Sequence, residues 1–262
     1  DKHVVLSSNG SAVLSAGPTR LELWRSDLVR MLSYGEIDAR VKPVNQGIGG
    51  AGCTLMSAAA SDEAVSVMEA CRDQKDLRLT LLKPAKEEDE PDTKNVPLPG
   101  VAADSEARVL AVEGTTTAVY LPSPQPQIAV YDETGSKIAS TLLKKPPVLA
   151  NSAQAVTHAG DLYTWWTGDS VEVFDARLSY RYTIEASAAV APLGPGGAMM
   201  AGRCSSRSPT ASGGSTSRPA APANASFPSP TPAGSGPVVP TVTGSMVIEQ
   251  HGDAVAAFGP KT

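Results

Sequence analysis

An all-β fold of repeated blades, a β-propeller, is what this sequence predicts, and three observations predict it. Short runs of alternating apolar residues pair off around turn residues, with almost no helical periodicity. The pattern then repeats: Ile128-Ala-Val-Tyr131-Asp132 is followed 43 positions on by Val171-Glu-Val-Phe174-Asp175, and Phe258 of Ala254-Val-Ala-Ala-Phe258 lies 84 positions beyond Phe174. A period of about 40 to 50 residues built from short strands marks a propeller blade of the PQQ-like or WD40-like type. Finally, 262 residues with 41% hydrophobic content are enough to bury the core of one such domain over residues 1–262.

The units follow in chain order. His3 to Leu6, Ala12 to Ser15, Leu21 to Trp24 and Val29 to Leu32 form the first. Its opening turn is Asn9-Gly10, a hairpin signal because both residues tolerate positive φ. The second holds a hairpin of Thr54 to Ala60 and Ala64 to Ala70, turning at Asp62-Glu63. Leu77 to Leu82 and a charged loop, Lys86 to Asp92, complete it. The third runs Arg108 to Val112, Thr116 to Leu121, Ile128 to Tyr131 and Lys137 to Leu143. The fourth runs Gln154 to Thr157, Leu162 to Thr167, Val171 to Phe174 and Tyr180 to Ile184. Ala198-Met-Met-Ala201 opens a fifth, and the pattern returns at Val238 with Met246 to Glu249 and Ala254 to Phe258 as its closing pair. Five to six blades are recognisable. A propeller closes its ring because an open sheet edge exposes unpaired backbone groups. Asp1 starts in mid-pattern, so one or more further blades, and about seven in all, are expected of the full-length protein.

Two of the three cysteines sit on the second unit's hairpin. Directly opposed residues of an antiparallel hairpin have a constant index sum, and a turn centred on Asp62 sets Cys53 opposite Cys71. Opposed Cα atoms lie within disulfide reach, so a Cys53–Cys71 bridge is expected, with an oxidising, extracytoplasmic location.

The repeat breaks between Arg203 and Ser235, a stretch with no Leu, Ile, Val, Met, Tyr or Trp. As written it is a Ser/Pro/Ala low-complexity linker. The genetic code offers a sharper reading. A TCN serine codon read one base early becomes NTC, which encodes Phe, Leu, Ile or Val. Threonine becomes Asp, Asn, His or Tyr by the same shift. In that frame the segment spells two strands around an Asp-Gly turn, and a Val-Asp-Val run falls over Ser215 to Ser217, where the period places a strand. The expectation is a blade disrupted over residues 204–232 by compensating frameshifts, with Cys204 carrying no functional weight.

Charge and motifs exclude more than they assign. With 27 acidic and 22 basic residues, a net charge of -5 gives no basic face for nucleic acid. No run of 18 apolar residues crosses a bilayer. Gly47-Ile-Gly49-Gly50-Ala-Gly52 matches the dinucleotide fingerprint, but a strand rather than a helix follows it, so an interblade loop is expected. Lys86 to Asp92 lacks the ligand spacing of a calcium loop. His3, His158 and His251 have no second His or Cys at metal-ligand spacing, so no metal site is expected. Asp27, Asp132 and Asp175 recur just after a third strand, which favours turn capping over catalysis. Adjacent Trp165 and Trp166 point to opposite faces of a strand, the outward ring being either blade packing or a surface binding anchor.

Leu23-Trp-Arg-Ser-Asp-Leu-Val-Arg-Met-Leu-Ser-Tyr-Gly35 and Gly52-Cys-Thr54 with Cys71 resemble actinobacterial, mycobacterial-type, membrane-anchored proteins with a PQQ-like β-propeller. So do Val130-Tyr-Asp132, Gly196-Gly to Ala201-Gly-Arg203 and Met246-Val-Ile-Glu-Gln-His-Gly252. The resemblance covers nearly the whole chain outside residues 204–232. It implies an N-terminal anchor and first blades upstream of Asp1, a propeller on the outer face of the cytoplasmic membrane, and no assigned active site. A non-enzymatic scaffold or binding module for envelope proteins or glycolipids is the expected function, with no cofactor and no catalytic residue. The alternative is a quinoprotein-like or hydrolytic enzyme with a degenerate site.

Overall fold

The computed structural model describes residues 4–8, 11–36, 46–49, 52–85, 90–148, 156–185, 198–200, 203–205, 238–243, 246–251 and 254–258. Among them every helix or strand is a strand. They divide into two compact units, Asp1–Pro146 and Pro147–Thr262, described separately below.

The first unit contains three sheets. β1 (Val5–Ser8), β2 (Ala12–Ala16), β3 (Arg20–Arg25) and β4 (Arg30–Gly35) form an antiparallel meander, and β5 (Gln46–Ile48) joins β4 in parallel. β6 (Cys53–Ala60), β7 (Val65–Cys71), β8 (Asp76–Lys83) and β9 (Asp92–Ala102) form the second sheet. β10 (Arg108–Glu113), β11 (Thr116–Leu121), β12 (Gln127–Tyr131) and β13 (Lys137–Leu142) form the third. In the second unit β14 (Val156–Ala159), β15 (Leu162–Trp166), β16 (Val171–Asp175) and β17 (Tyr180–Ile184) repeat the meander. β18 (Ala198–Met200) pairs with β19 (Arg203–Ser205), and β20 (Val238–Thr243), β21 (Met246–His251) and β22 (Ala254–Phe258) make a three-stranded sheet. Four-stranded antiparallel meanders following one another in chain order are the blades of a β-propeller.

Blade stacking explains the burial. Odd-numbered Val65 and Val67 of β7 pack with Leu14, Leu21, Leu23 and Leu32 of the first sheet. Even-numbered Ala64 and Met68, with Leu77, Leu79 and Leu81 of β8, pack with Val109, Val119 and Leu121 of the third. The second sheet is thus covered on both faces, so β7 is buried almost throughout instead of alternating in and out. Each fully buried Leu or Val contributes about 1.5–3 kcal/mol.

One hairpin recurs in three blades. After β3, β12 and β16 the chain closes a five-residue turn, through Arg25 N to Val29 O at 2.9 Å, Asp132 N to Ser136 O at 3.0 Å and Asp175 N to Ser179 O at 3.0 Å. The fourth residue of each turn, Leu28, Gly135 or Leu178, has positive φ. Each pair of strands then skips one residue, Met31, Ile138 or Arg181, as a bulge. The first turn position is therefore Arg25, Asp132 or Asp175. Asp27 lies two places later, a correction to its alignment with the other two aspartates.

The structure also adds three strands, β5, β9 and β19. Residues 46–48, read as part of an interblade loop, form β5, and β9 follows directly on the charged loop. Pro97 and Pro99 mask β9 in the sequence, because proline interrupts the strand pattern and is tolerated at a sheet edge. Asn9-Gly10, Lys86 to Asp89 and residues 206–237, including most of the frameshift segment, lie outside the described residues. Its first residues, Arg203–Ser205, form β19, with Cys204 opposite Met199.

Candidate ligand cleft

Between the second and third sheets lies a cleft of about 310 Å³. Antiparallel register places its wall in rows. Ser66, Leu81 and Lys94 are partners across β7, β8 and β9, and Lys83 faces Asp92 one step along the same side of the sheet. The opposite wall is made of turns of the third sheet, Thr115 after β10 and Glu133 after β12. Ala64, Leu81 and Leu82 supply apolar surface. At the base, Ser66 Oγ and Thr117 Oγ1 are 2.6 Å apart and buried, joining the two sheets. At the mouth Lys83 Nζ lies 3.3 Å from Glu133 Oε2, an exposed pair worth at most about 1 kcal/mol. Gly135 makes room there. A Cβ at its φ of +82° would meet Val96 Cγ2 at 2.6 Å and Lys94 Cγ at 3.4 Å, so the lysine stem runs over the bare glycine.

A buried polar hub holds the first sheet to the second. Glu69 on β7 is fully buried and accepts from Tyr34 Oη of β4 at 2.9 Å. Arg78 donates to Glu69 Oε2 from Nη2 at 2.7 Å and from Nε at 3.0 Å, and the Thr80 hydroxyl donates to the same oxygen. Arg78 Nη2 also lies 3.7 Å from Cys53 Sγ. Burial, then the Glu69 charge, push the Tyr34 phenol well above its ordinary value. The phenol stays protonated and donates.

Cys53 and Cys71 are disulfide-bonded, with Cα atoms 3.9 Å apart. Their register has an added device. The turn runs Ser61 to Ala64, so Ala60 faces Val65, Ala58 faces Val67 and Ser57 faces Met68. Continued without a break, that register would set Cys53 opposite Arg72. A bulge at Met56 shifts it by one and aligns Cys53 with Cys71.

Other predicted residues serve the fold. Gly47 sits beneath the Tyr34 ring, where a Cβ would come within 2.7 Å of Tyr34 Cδ2. The glycine run thus gives Tyr34 room to reach Glu69 rather than cradling a phosphate. Asp132 Oδ1 accepts from the amides of Thr134 and Ser136 at 2.9 and 3.0 Å. Asp175 Oδ1 accepts from those of Arg177 and Ser179, both at 2.9 Å. Both aspartates cap their turns. Asp27 Oδ1 also accepts a turn amide, that of Val29 at 3.3 Å, and its carboxylate pairs with Arg25. Trp165 and Trp166 are 0% and 9% exposed, with Trp166 packed on Val171 and Val173. That burial corrects the surface-anchor alternative, because neither ring is presented to a partner. His158 stacks on Tyr163 with centroids 4.3 Å apart. His3 lies outside the described residues, among which no three His, Cys, Asp or Glu gather as metal ligands. The cleft itself was not foreseen. Its only local trace is the charge alternation Lys83, Asp92, Lys94.

No family model and no curated protein matches this chain. Solved structures give distant likenesses. BBS1N, in complex with ARL6DN, is 13% identical at a TM-score of 0.39, covering 73% of this chain and 56% of that one. The Cps50 (Swd1) β-propeller domain of Myceliophteria thermophila is 14% identical at 0.36, covering 74% and 56%. PorZ of Porphyromonas gingivalis, a surface component of a type-IX secretion system, is 11% identical at 0.44, covering 98% and 33%. The chain therefore spans only a third to just over half of these proteins. The propeller assignment rests on its own strand order.

Proposed function

We propose that this chain is the propeller part of a binding or scaffold protein exposed outside the cytoplasmic membrane, with PQQ-like blades in a ring of about seven and envelope proteins or glycolipids as partners. The observation that carries the binding reading is the ligand-sized cleft between two blades, walled by turns of one sheet and a charged strand edge of the other. The Cys53–Cys71 bridge is compatible with an oxidising compartment. Stacked blades carrying exposed turns suit recognition. The test is titration of the purified full chain, followed by amide shifts, with envelope-derived peptides and glycans in one arm and calcium plus PQQ in the other. Saturable shifts around Ser66, Thr93 and Thr115 in the first arm support the reading. Saturable PQQ binding with redox activity would replace it with a quinoprotein.

A further inference from the structure

We propose that the cleft between the second and third blades takes a short zwitterionic peptide of dipeptide length; the inference rests on the binding reading above. Three independent features of the cleft converge on that chemistry.

First, the floor has an unspent hydrogen-bond donor. Ser66 and Thr117 are 1% and 0% exposed, and their hydroxyl oxygens are 2.6 Å apart. Each hydroxyl carries one hydrogen, and the contact between them uses only one. Among the described residues no acceptor takes the other, and Ser66 lines the cleft. A buried donor without an acceptor is costly, so a ligand oxygen placed there is favoured.

Second, the uncommitted charges have opposite signs and a defined spacing. Lys83 and Glu133 neutralise each other across the mouth. Asp92 and Lys94 line the same cleft, and neither has an ion-pair partner among the described residues. They stand two residues apart on one face of β9, a separation of about 7 Å. The ammonium and carboxylate of an extended dipeptide are separated by a similar two-residue span.

Third, strand register assigns the ends. Lys94 shares its cross-strand row with Ser66, whose hydrogen is free for the cleft when Thr117 donates to Ser66 Oγ, so cation and hydroxyl lie on one row and mark the carboxylate end. Asp92 lies on the next row along that face and marks the ammonium end. Leu81 and Ala64 provide apolar contact for a side chain between them. A free sugar would satisfy the hydroxyl but leave both charges unmatched.

The test uses the isotope-labelled full chain with L-Ala-L-Leu, its N-acetyl form, its C-terminal amide and the neutral disaccharide cellobiose. Ala-Leu is expected to shift the amides of Ser66, Thr93 and Thr115 saturably. Acetylation and amidation should each weaken binding about threefold or more, the scale of an exposed ion pair. Asp92→Asn should weaken Ala-Leu while leaving the N-acetyl peptide unchanged, and Lys94→Met should do the same with respect to the amide. Ser66→Ala should weaken every ligand that retains the carboxylate. Equal binding of the blocked and free dipeptides overturns the inference, as does cellobiose moving those amides when Ala-Leu does not. That last result leaves the binding reading standing. Saturation by none of the four, with none of the Proposed function arms binding, overturns both.

Discussion

Replacing Glu69 by alanine strands three donors at once. Its carboxylate is fully buried and takes hydrogen bonds from Tyr34, Arg78 and Thr80. The Arg78 side chain is 15% exposed, so without Glu69 it becomes a mostly buried, unpaired cation. Breaking such a pair from one side costs about 3–5 kcal/mol, and orphaning the Tyr34 hydroxyl adds about 1 kcal/mol. Glu69→Ala is therefore expected to lower stability by about 4–6 kcal/mol in urea titrations of the full chain. Tyr34→Phe should cost only about 1 kcal/mol, because the carboxylate keeps its other donors. Combining Glu69→Ala with Arg78→Met should recover about 2 kcal/mol relative to the sum of the single changes, since the pair's loss is counted once. The oxidised disulfide must be kept throughout, because Arg78 also approaches Cys53. A Glu69→Ala cost below about 1 kcal/mol, or strict additivity in the cycle, would refute the hub.

Four further outcomes are expected. Leu28→Gly should stabilise by about 0.5 kcal/mol, relieving a left-handed residue that is 80% exposed, whereas Leu178→Gly should cost about 2 kcal/mol because its side chain is 1% exposed; thermal melts of both report the sign. Gly47→Ala should destabilise by about 1–3 kcal/mol through the Tyr34 ring, read in the same melts. Cys53→Ser with Cys71→Ser should cost about 3 kcal/mol by releasing a loop with a sequence separation of 18, and reduction of the native chain should match it. Burial raises Tyr34, Tyr120 and Tyr131 above their ordinary value of 10.0. The folded chain holds protons that the unfolded chain releases, so stability is full below about pH 10 and falls as pH rises past it. Alkaline titration followed by phenolate absorbance should show these three ionising late, and Tyr34→Phe should shallow the loss.

Much of the fold was legible because strand signals are local. Apolar alternation and turn residues located the strands of the third blade to within a residue or so, and the index sum paired Cys53 with Cys71. The pairing emerged from a turn centre half a residue off, compensated by the Met56 bulge. No alternation marks a bulge, so that correction had to come from structure. β9 was missed because its prolines read as loop, and β5 because a glycine run carries no strand propensity.

The candidate site belongs to a different scale. The sequence by itself determined the blade period, the recurring hairpins and the covalent bridge, all set by steric and hydrogen-bonding preferences within a few dozen residues. Tertiary structure alone decided that Tyr34 meets Glu69, that Ser66 meets Thr117, and that Asp92 and Lys94 flank a cleft facing Glu133. It also turned the glycine fingerprint into a berth for a tyrosine ring and buried both tryptophans. Those outcomes depend on which faces of separate blades are pressed together. Alternation names the buried face of a strand but not the residue that will lie against it.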